Sequence, residues 1–128
     1  MCDLCPRQCK VNRAAGETGF CCAQDNSIKI SRAALHFWEE PCISGTRGSG
    51  AVFFSHCSLK CVYCQNIEIS RGISGIDVST VRLAEIMLEL QAQGAHNINL
   101  VTPTHYVNHI IAALDIAKSR GLCLPIVY

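Results

Sequence analysis

Long apolar runs are missing from this 128-residue sequence. No run approaches the roughly 20 consecutive apolar residues that a membrane-spanning helix requires, so we expect no membrane partner. The N-terminus reads "MCDLCPRQC" and also lacks the apolar segment of a secretory signal. These two absences predict a cytoplasmic protein.

The chain also lacks an excess of charge of either sign. The formal net charge is +1, and the Lys and Arg residues form neither a run nor a stripe. Proteins that bind nucleic acid usually carry a basic patch, so nucleic acid is not an expected partner. Hydrophobic residues make up 49% of the chain, which is enough for the core of one ordinary domain.

Cysteine, in contrast, is abundant. The ten cysteines are Cys2, Cys5, Cys9, Cys21, Cys22, Cys42, Cys57, Cys61, Cys64 and Cys123. A small disulfide-stapled secreted domain reaches a similar share. Here, however, no export signal precedes them, most of them are clustered, and the C-terminal half contains helices that need no staples. In a reducing compartment such clusters more often hold a metal, so we expect metal ligation.

The secondary-structure pattern divides the chain near residue 45. Residues 1–45 are irregular, with one short strand predicted at 27–31, and we interpret them as a Cys-rich metal-binding segment. The remaining pattern predicts strands at 51–55, 97–101 and 124–128 and helices at 77–94 and 105–121. Ser79 is the expected N-cap of the first of these helices.

This order of elements predicts an α/β fold. Apolar strands joined by amphipathic helices favour right-handed βαβ crossovers and parallel strands. Three such strands leave an exposed sheet edge. We therefore expect residues 46–128 to be the N-terminal half of a (β/α) barrel, either truncated or completed by a partner chain.

Three cysteines follow the first predicted strand of this half. Cys57, Cys61 and Cys64 have the spacing C-x3-C-x2-C, at the carboxyl end of a strand, where α/β proteins place active sites. Three thiolates hold three irons of a [4Fe–4S] cluster and leave the fourth iron free for an outside ligand. The amine and carboxylate of S-adenosylmethionine suit that position, and a low-potential electron then breaks its sulfonium bond.

The main alternative for this loop is a zinc knuckle or a redox thiol pair. Structural zinc takes four ligands, usually as two separated pairs. Three thiols in one loop fit that arrangement only if Cys42 or Cys123 supplies the fourth. A zinc-stabilised interaction module is therefore the second hypothesis, and a catalytically incomplete fragment that keeps the loop is the third.

The loop resembles the signature of the radical SAM superfamily. The likeness consists of C-x3-C-x2-C with Tyr63 before the last cysteine, placed after "AVFFS" as in the first strand of that family's barrel. The "CQN" segment at 64–66 is similar to glycyl-radical-enzyme activases. The wider sequence resembles uncharacterised proteins labelled pyruvate formate-lyase activating enzyme-like.

The resemblance implies a function and a set of contacts. Cys57, Cys61 and Cys64 would bind the cluster, and Tyr63 would pack beside the adenine. The chain would form a 5′-deoxyadenosyl radical, with a low-potential electron donor and a protein substrate such as pyruvate formate-lyase as partners. Where many members of the family carry a GGEP-type segment this chain reads "VTPTHY", so Thr102 and Thr104 are the candidate contacts to the methionine end.

The N-terminal cysteines form a second group. Cys2, Cys5, Cys9 and Cys21 have the spacing C-x2-C-x3-C-x11-C. Four thiols are sufficient for a closed site, which suits either structural zinc or an auxiliary [4Fe–4S] cluster. Cys22 is an equal candidate for the fourth position, and the spacing does not choose between them.

Two histidines also enter the predictions. His105 follows the strand predicted at 97–101, so a contact with substrate or S-adenosylmethionine is one interpretation. His109 lies on the second predicted helix, beside its apolar stripe, and we interpret it as structural.

Overall fold

A five-stranded mixed sheet runs through the chain, of which a computed structural model describes all 128 residues. The strands are β1 (Ile28–His36), β2 (Ser49–Phe54), β3 (Ile76–Val78), β4 (Ile98–Val101) and β5 (Ile126–Val127). Their order across the sheet is β3-β1-β2-β4-β5. β2, β4 and β5 are parallel to one another, whereas β1 is antiparallel to both β2 and β3.

Four α-helices accompany the sheet. They are α1 (Pro41–Ser44), α2 (Ile67–Ser70), α3 (Thr80–Ala92) and α4 (Val107–Ser119), and short 3-10 helices lie at Arg13–Ala15 and Thr104–Tyr106. Ser79 caps α3, as predicted, because its hydroxyl accepts a hydrogen bond from the N–H of Arg82 at 3.1 Å. No helix has the length and apolar character needed to cross a membrane.

The core lies between one face of the sheet and the two long helices. Alternate residues of β2, of β4 and of the first part of β1 contribute to this core, as the two-residue period of a strand requires. The strand residues of the core are Ile28, Ile30, Val52, Phe54, Val78, Ile98 and Leu100. Leu83, Met87 and Leu90 of α3 and Ile110 and Ala113 of α4 meet them. Burial of a side chain of this size contributes about 1.5–3 kcal/mol.

The predicted partial (β/α) barrel of parallel strands is wrong. β1 is nine residues long and runs antiparallel beside β2, with Ala33 opposite Val52. A register shift between Ile30 and Arg32 breaks the alternation of β1, so only its first residues had a strand pattern. β3 has three residues, too few for any periodicity. Since β3 and β5 are separate edges, the sheet is not closed.

The same pairing joins the two halves of the chain. β1 lies within residues 1–45, yet it is hydrogen-bonded to β2 along most of its length. The sheet therefore contains strands from both sides of residue 45.

The register of the parallel strands positions the site. Phe53 of β2 is opposite Val101 of β4, so these two strands end side by side. The loop that begins at Ser55 and the turn that begins at Thr102 consequently start from neighbouring points.

Candidate metal centre

The chain turns sharply where β2 ends. The Ser55 hydroxyl donates to the Ser74 carbonyl at 2.6 Å, and the N–H of His56 donates to the Ile69 carbonyl at 2.8 Å. His56 has φ +70°, in the left-handed region. Gly72, also at positive φ, packs against its imidazole so closely that an added Cβ would overlap the ring. The segment after the loop therefore fixes how the loop begins.

The three loop thiols differ in their surroundings. Cys57 is buried, with 9% of its surface exposed, and Cys61 and Cys64 are half-buried. The N–H of Leu59 donates to the Cys57 sulfur at 3.3 Å. Hydrogen bonds from N–H groups to sulfur are typical of cysteines that bind iron–sulfur clusters. The N–H of Cys64 donates to the Cys61 carbonyl at 3.3 Å and closes the loop's last turn.

Left-handed backbone outside glycine is concentrated around the cysteines. Six residues adopt it: Gln8, Lys10, Cys22, His56, Lys60 and Thr102. The first five either are cysteine or are adjacent to one. Thr102 is β-branched, which makes its conformation the most costly of the six. Strained backbone of this kind is typical of functional sites.

A small cleft brings part of the predicted site together. It has a volume of about 60 Å³, and Cys57, Cys64, Asn66 and Thr102 are among its lining residues. Two predicted cluster ligands and one predicted S-adenosylmethionine contact thus share one cavity at the ends of β2 and β4. Across the chain, however, no three His, Cys, Asp or Glu side chains converge on one point as metal ligands do.

Other predicted site residues lie outside this cleft. Tyr63 is 87% exposed and does not line the cleft. Thr104 accepts a hydrogen bond from the Tyr128 hydroxyl at 3.1 Å and is not part of its lining. Cys61 follows the left-handed Lys60 and is also absent from the lining. Of the predicted site residues in this loop and turn, the cleft therefore includes Cys57, Cys64 and Thr102 but not Cys61, Tyr63 or Thr104.

His105 is structural rather than part of the cleft. It is 2% exposed, and its Nε2 donates to the Ser55 carbonyl at 2.9 Å. Burial lowers the pKa of His105 to about 4, so the imidazole is neutral. His109 is also tied to the backbone, through Nε2 to the Asp25 carbonyl at 2.8 Å.

The N-terminal cysteines are gathered by the backbone. The backbone N–H of Cys2 donates to the Val11 carbonyl at 2.7 Å, and the Cys2 carbonyl accepts from the N–H of Lys10 at 2.9 Å. This pairing places Cys2 beside Cys9. The N–H of Phe20 donates to the Cys9 sulfur at 3.4 Å. Burial raises the pKa of the Cys21 thiol, and the nearby thiols of Cys2 and Cys5 act in the same direction.

Cys21 and Cys22 point to different neighbours. Cys21 is buried and lies near Cys2 and Cys5. Cys22 is exposed, and its sulfur lies 3.5 Å from the Lys60 ammonium. Spacing alone made the two equal candidates, whereas the structure places only Cys21 with the N-terminal group.

The sequence reasoning missed the residues that join the two cysteine groups. The Arg7 side chain donates to the Ser58 carbonyl at 2.9 Å, and its guanidinium lies 3.7 Å from the centroid of the Phe20 ring. Lys60 lies over the same ring, 5.0 Å from its centroid. No pattern in the sequence relates positions 7, 20 and 60. The one available signal was that each of these residues lies within two positions of a cysteine.

Comparison with known proteins gives one relative. Over 70 residues, 55% of this chain, the sequence is 39% identical to a protein of Methanocaldococcus jannaschii that is described as uncharacterized. The matched stretch spans 19% of that protein's length. No family model matches the chain. No solved structure matches it either.

Proposed function

We propose that Cys57, Cys61 and Cys64 bind a [4Fe–4S] cluster and that the chain cleaves S-adenosylmethionine reductively. The observation that carries the proposal is the cleft at the ends of β2 and β4, which Cys57, Cys64 and Thr102 help to line. The donor set consists of thiols only, which suits iron–sulfur chemistry. Three loop cysteines leave one iron without a protein ligand.

The fit of the residues to this cluster rests on the Cys57 sulfur. It is buried and accepts the Leu59 N–H at 3.3 Å. Hydrogen bonds to cluster sulfurs and exclusion of solvent are the means by which a protein sets the cluster's potential. Cys61 and Cys64 are half-buried and lie nearer to solvent than Cys57.

When held by Cys57, Cys61 and Cys64, a reduced cluster would supply the one electron that cleaves the C5′–S bond of the sulfonium to methionine and a 5′-deoxyadenosyl radical. The chain's own residues would position S-adenosylmethionine and shield it from water. Thr102, whose backbone is left-handed, lines the cleft and is the proposed contact to the methionine amine. Tyr63 is available to cover an adenine, because the residue is 87% exposed.

The proposal extends to location, partners and substrate class. Free thiols near the surface persist in a reducing compartment, which favours the cytoplasm. A low-potential electron donor must supply the electron. The likeness of residues 64–66 to glycyl-radical-enzyme activases makes a glycyl residue of a protein such as pyruvate formate-lyase the proposed source of the abstracted hydrogen.

The test is a cofactor-cleavage assay on anaerobically reconstituted protein. We expect bound iron and sulfide and, with dithionite, release of 5′-deoxyadenosine from S-adenosylmethionine. Cys61→Ala should abolish release, whereas Cys123→Ala, which changes an exposed thiol outside both groups, should not. Protein that holds only zinc and releases no 5′-deoxyadenosine would support the zinc-stabilised interaction module instead.

A further inference from the structure

A buried arginine without an acidic partner lies beside the N-terminal cysteines. Arg13 is 6% exposed, and its guanidinium donates to the carbonyls of His105 and Gln24. No carboxylate lies within ion-pair distance of it, and its Nε has no hydrogen-bond partner. A buried charge without a counter-ion costs several kcal/mol, on the order of the penalty for one desolvated ion.

A thiol shares a surface cleft with this arginine, because Cys2 and Arg13 line it together, along with Asp3 and Asp25. Arg13 lies within electrostatic reach of Cys21, and Cys21 is in turn near Cys2 and Cys5. The backbone pairing of Cys2 with Lys10 and Val11 brings Cys9 near Cys2, and the N–H of Phe20, the residue before Cys21, donates to the Cys9 sulfur at 3.4 Å. Four thiolates around a divalent ion sum to a net charge of about −2, which a neighbouring guanidinium stabilises.

We infer that a thiophilic metal draws Cys2, Cys5, Cys9 and Cys21, which are neighbours but do not converge on one point in the structure, into a closed four-thiolate centre with Arg13 as its buried counter-ion. Cys22 is excluded, because its sulfur lies at Lys60. This centre is separate from the loop cluster and does not depend on the function proposed for it. Zinc and an iron–sulfur cluster share this ligand chemistry.

The centre also has a mechanical consequence for the loop. Arg7 lies between Cys5 and Cys9, and Phe20 immediately precedes Cys21. These two residues carry the contacts to Ser58 and Lys60 of the other cysteine group. A metal that fixes the four cysteines therefore holds both contacts in place, because metal binding and local folding are coupled.

Metal analysis on a chain without the loop ligands tests the assignment. In a Cys57→Ser, Cys61→Ser, Cys64→Ser variant, we expect about one zinc per chain, or about four irons with sulfide. Which of the two is found identifies the metal. Adding Cys21→Ser should remove it, whereas adding the matched Cys22→Ser should not. A chain that keeps its metal after Cys21→Ser, or that holds none before it, overturns the inference.

Two further measurements keep the test decisive if a cysteine variant misfolds. In wild-type protein loaded with zinc alone, X-ray absorption at the zinc edge should show four sulfur ligands at about 2.3 Å. Oxygen or nitrogen ligands, or fewer sulfurs, would contradict the centre. Arg13→Met should weaken zinc affinity about tenfold in chelator competition, and Arg120→Met, an exposed control, should not. Equal zinc affinities in the two variants would show that Arg13 does not stabilise the bound metal.

Discussion

The N–H of Leu59 points at the sulfur of Cys57 over 3.3 Å. The residues His56 and Lys60, which precede Cys57 and Cys61, both have left-handed backbone, at φ +70° and +52°. The loop thus places a polarised donor next to a buried thiol before any metal is bound. This arrangement, rather than the number of cysteines alone, distinguishes Cys57 from the exposed thiols of the chain.

Replacement of Thr102 should stabilise the protein. Its φ of +59° costs a β-branched residue more than it costs asparagine, which tolerates this region. We expect Thr102→Asn to raise the free energy of unfolding by about 1 kcal/mol in urea titrations of metal-free protein. Thr104→Asn serves as the control and should give no increase. A destabilised Thr102→Asn would show that the hydroxyl contributes more than the backbone strain costs.

Substitution of Gly72 should be far more costly than that of Gly94. Both have positive φ, but a Cβ at Gly72 would overlap the His56 ring, whereas nothing lies within 4 Å of one at Gly94. We expect Gly94→Ala to lose about 1 kcal/mol, from backbone conformation alone. Gly72→Ala should lose about 2–4 kcal/mol, since overpacking is added. Equal losses in urea unfolding would mean that His56 is free to move away.

The stability of the protein should fall below pH 6.5 because of His105. Burial lowers the pKa of His105 from 6.5 to about 4, so between these values the unfolded chain binds the proton and the folded chain does not. The full effect is on the order of 3 kcal/mol, lost as the pH falls through this window.

Urea titrations of wild type and His105→Gln at several pH values measure this contribution. The glutamine amide is able to donate to the Ser55 carbonyl but does not titrate, so its stability should depend less on pH. Burial also lowers the pKa of His56, but that residue is present in both proteins and cancels in the difference. Parallel pH profiles would contradict the prediction.

Loss of Arg7 should loosen the cysteine loop. Its side chain donates to the carbonyls of Ser58 and Leu59. We expect amide hydrogens of residues 58–64 to exchange about three- to tenfold faster in Arg7→Ala, which is the effect of losing roughly 1 kcal/mol of local stability. Arg71→Ala changes an exposed arginine in the segment after the loop and should leave exchange unaltered. Unchanged rates in both variants would show that the N-terminal segment does not hold the loop.

Regular elements were predictable where hydrophobic periodicity was strong. The helix containing Leu83, Met87 and Leu90 was expected, and so was its cap at Ser79. The fold class was wrong because β1 crosses a register shift at Ile30 and Arg32, and β3 is only three residues long. The antiparallel pairing of β1 with β2 depends on tertiary contacts, which no local sequence pattern encodes.

The candidate site was predictable in composition but not in arrangement. Spacing singled out Cys57 and Cys64, and the structure places both at one cleft with Thr102. The contact of Arg7 with Ser58 spans 51 positions, so the sequence offered no period or spacing from which to infer it. Likewise, Arg13 reads as an ordinary surface arginine until its burial is seen.

Electron paramagnetic resonance of the reduced, oxygen-free protein tests the central claim most directly. The account predicts an iron–sulfur signal that changes shape when S-adenosylmethionine is added, because the cofactor binds the iron that Cys57, Cys61 and Cys64 leave without a protein ligand. In Cys61→Ala this cofactor-sensitive signal should be absent. Wild-type protein with no iron–sulfur signal, or with one that S-adenosylmethionine leaves unchanged, would contradict the account.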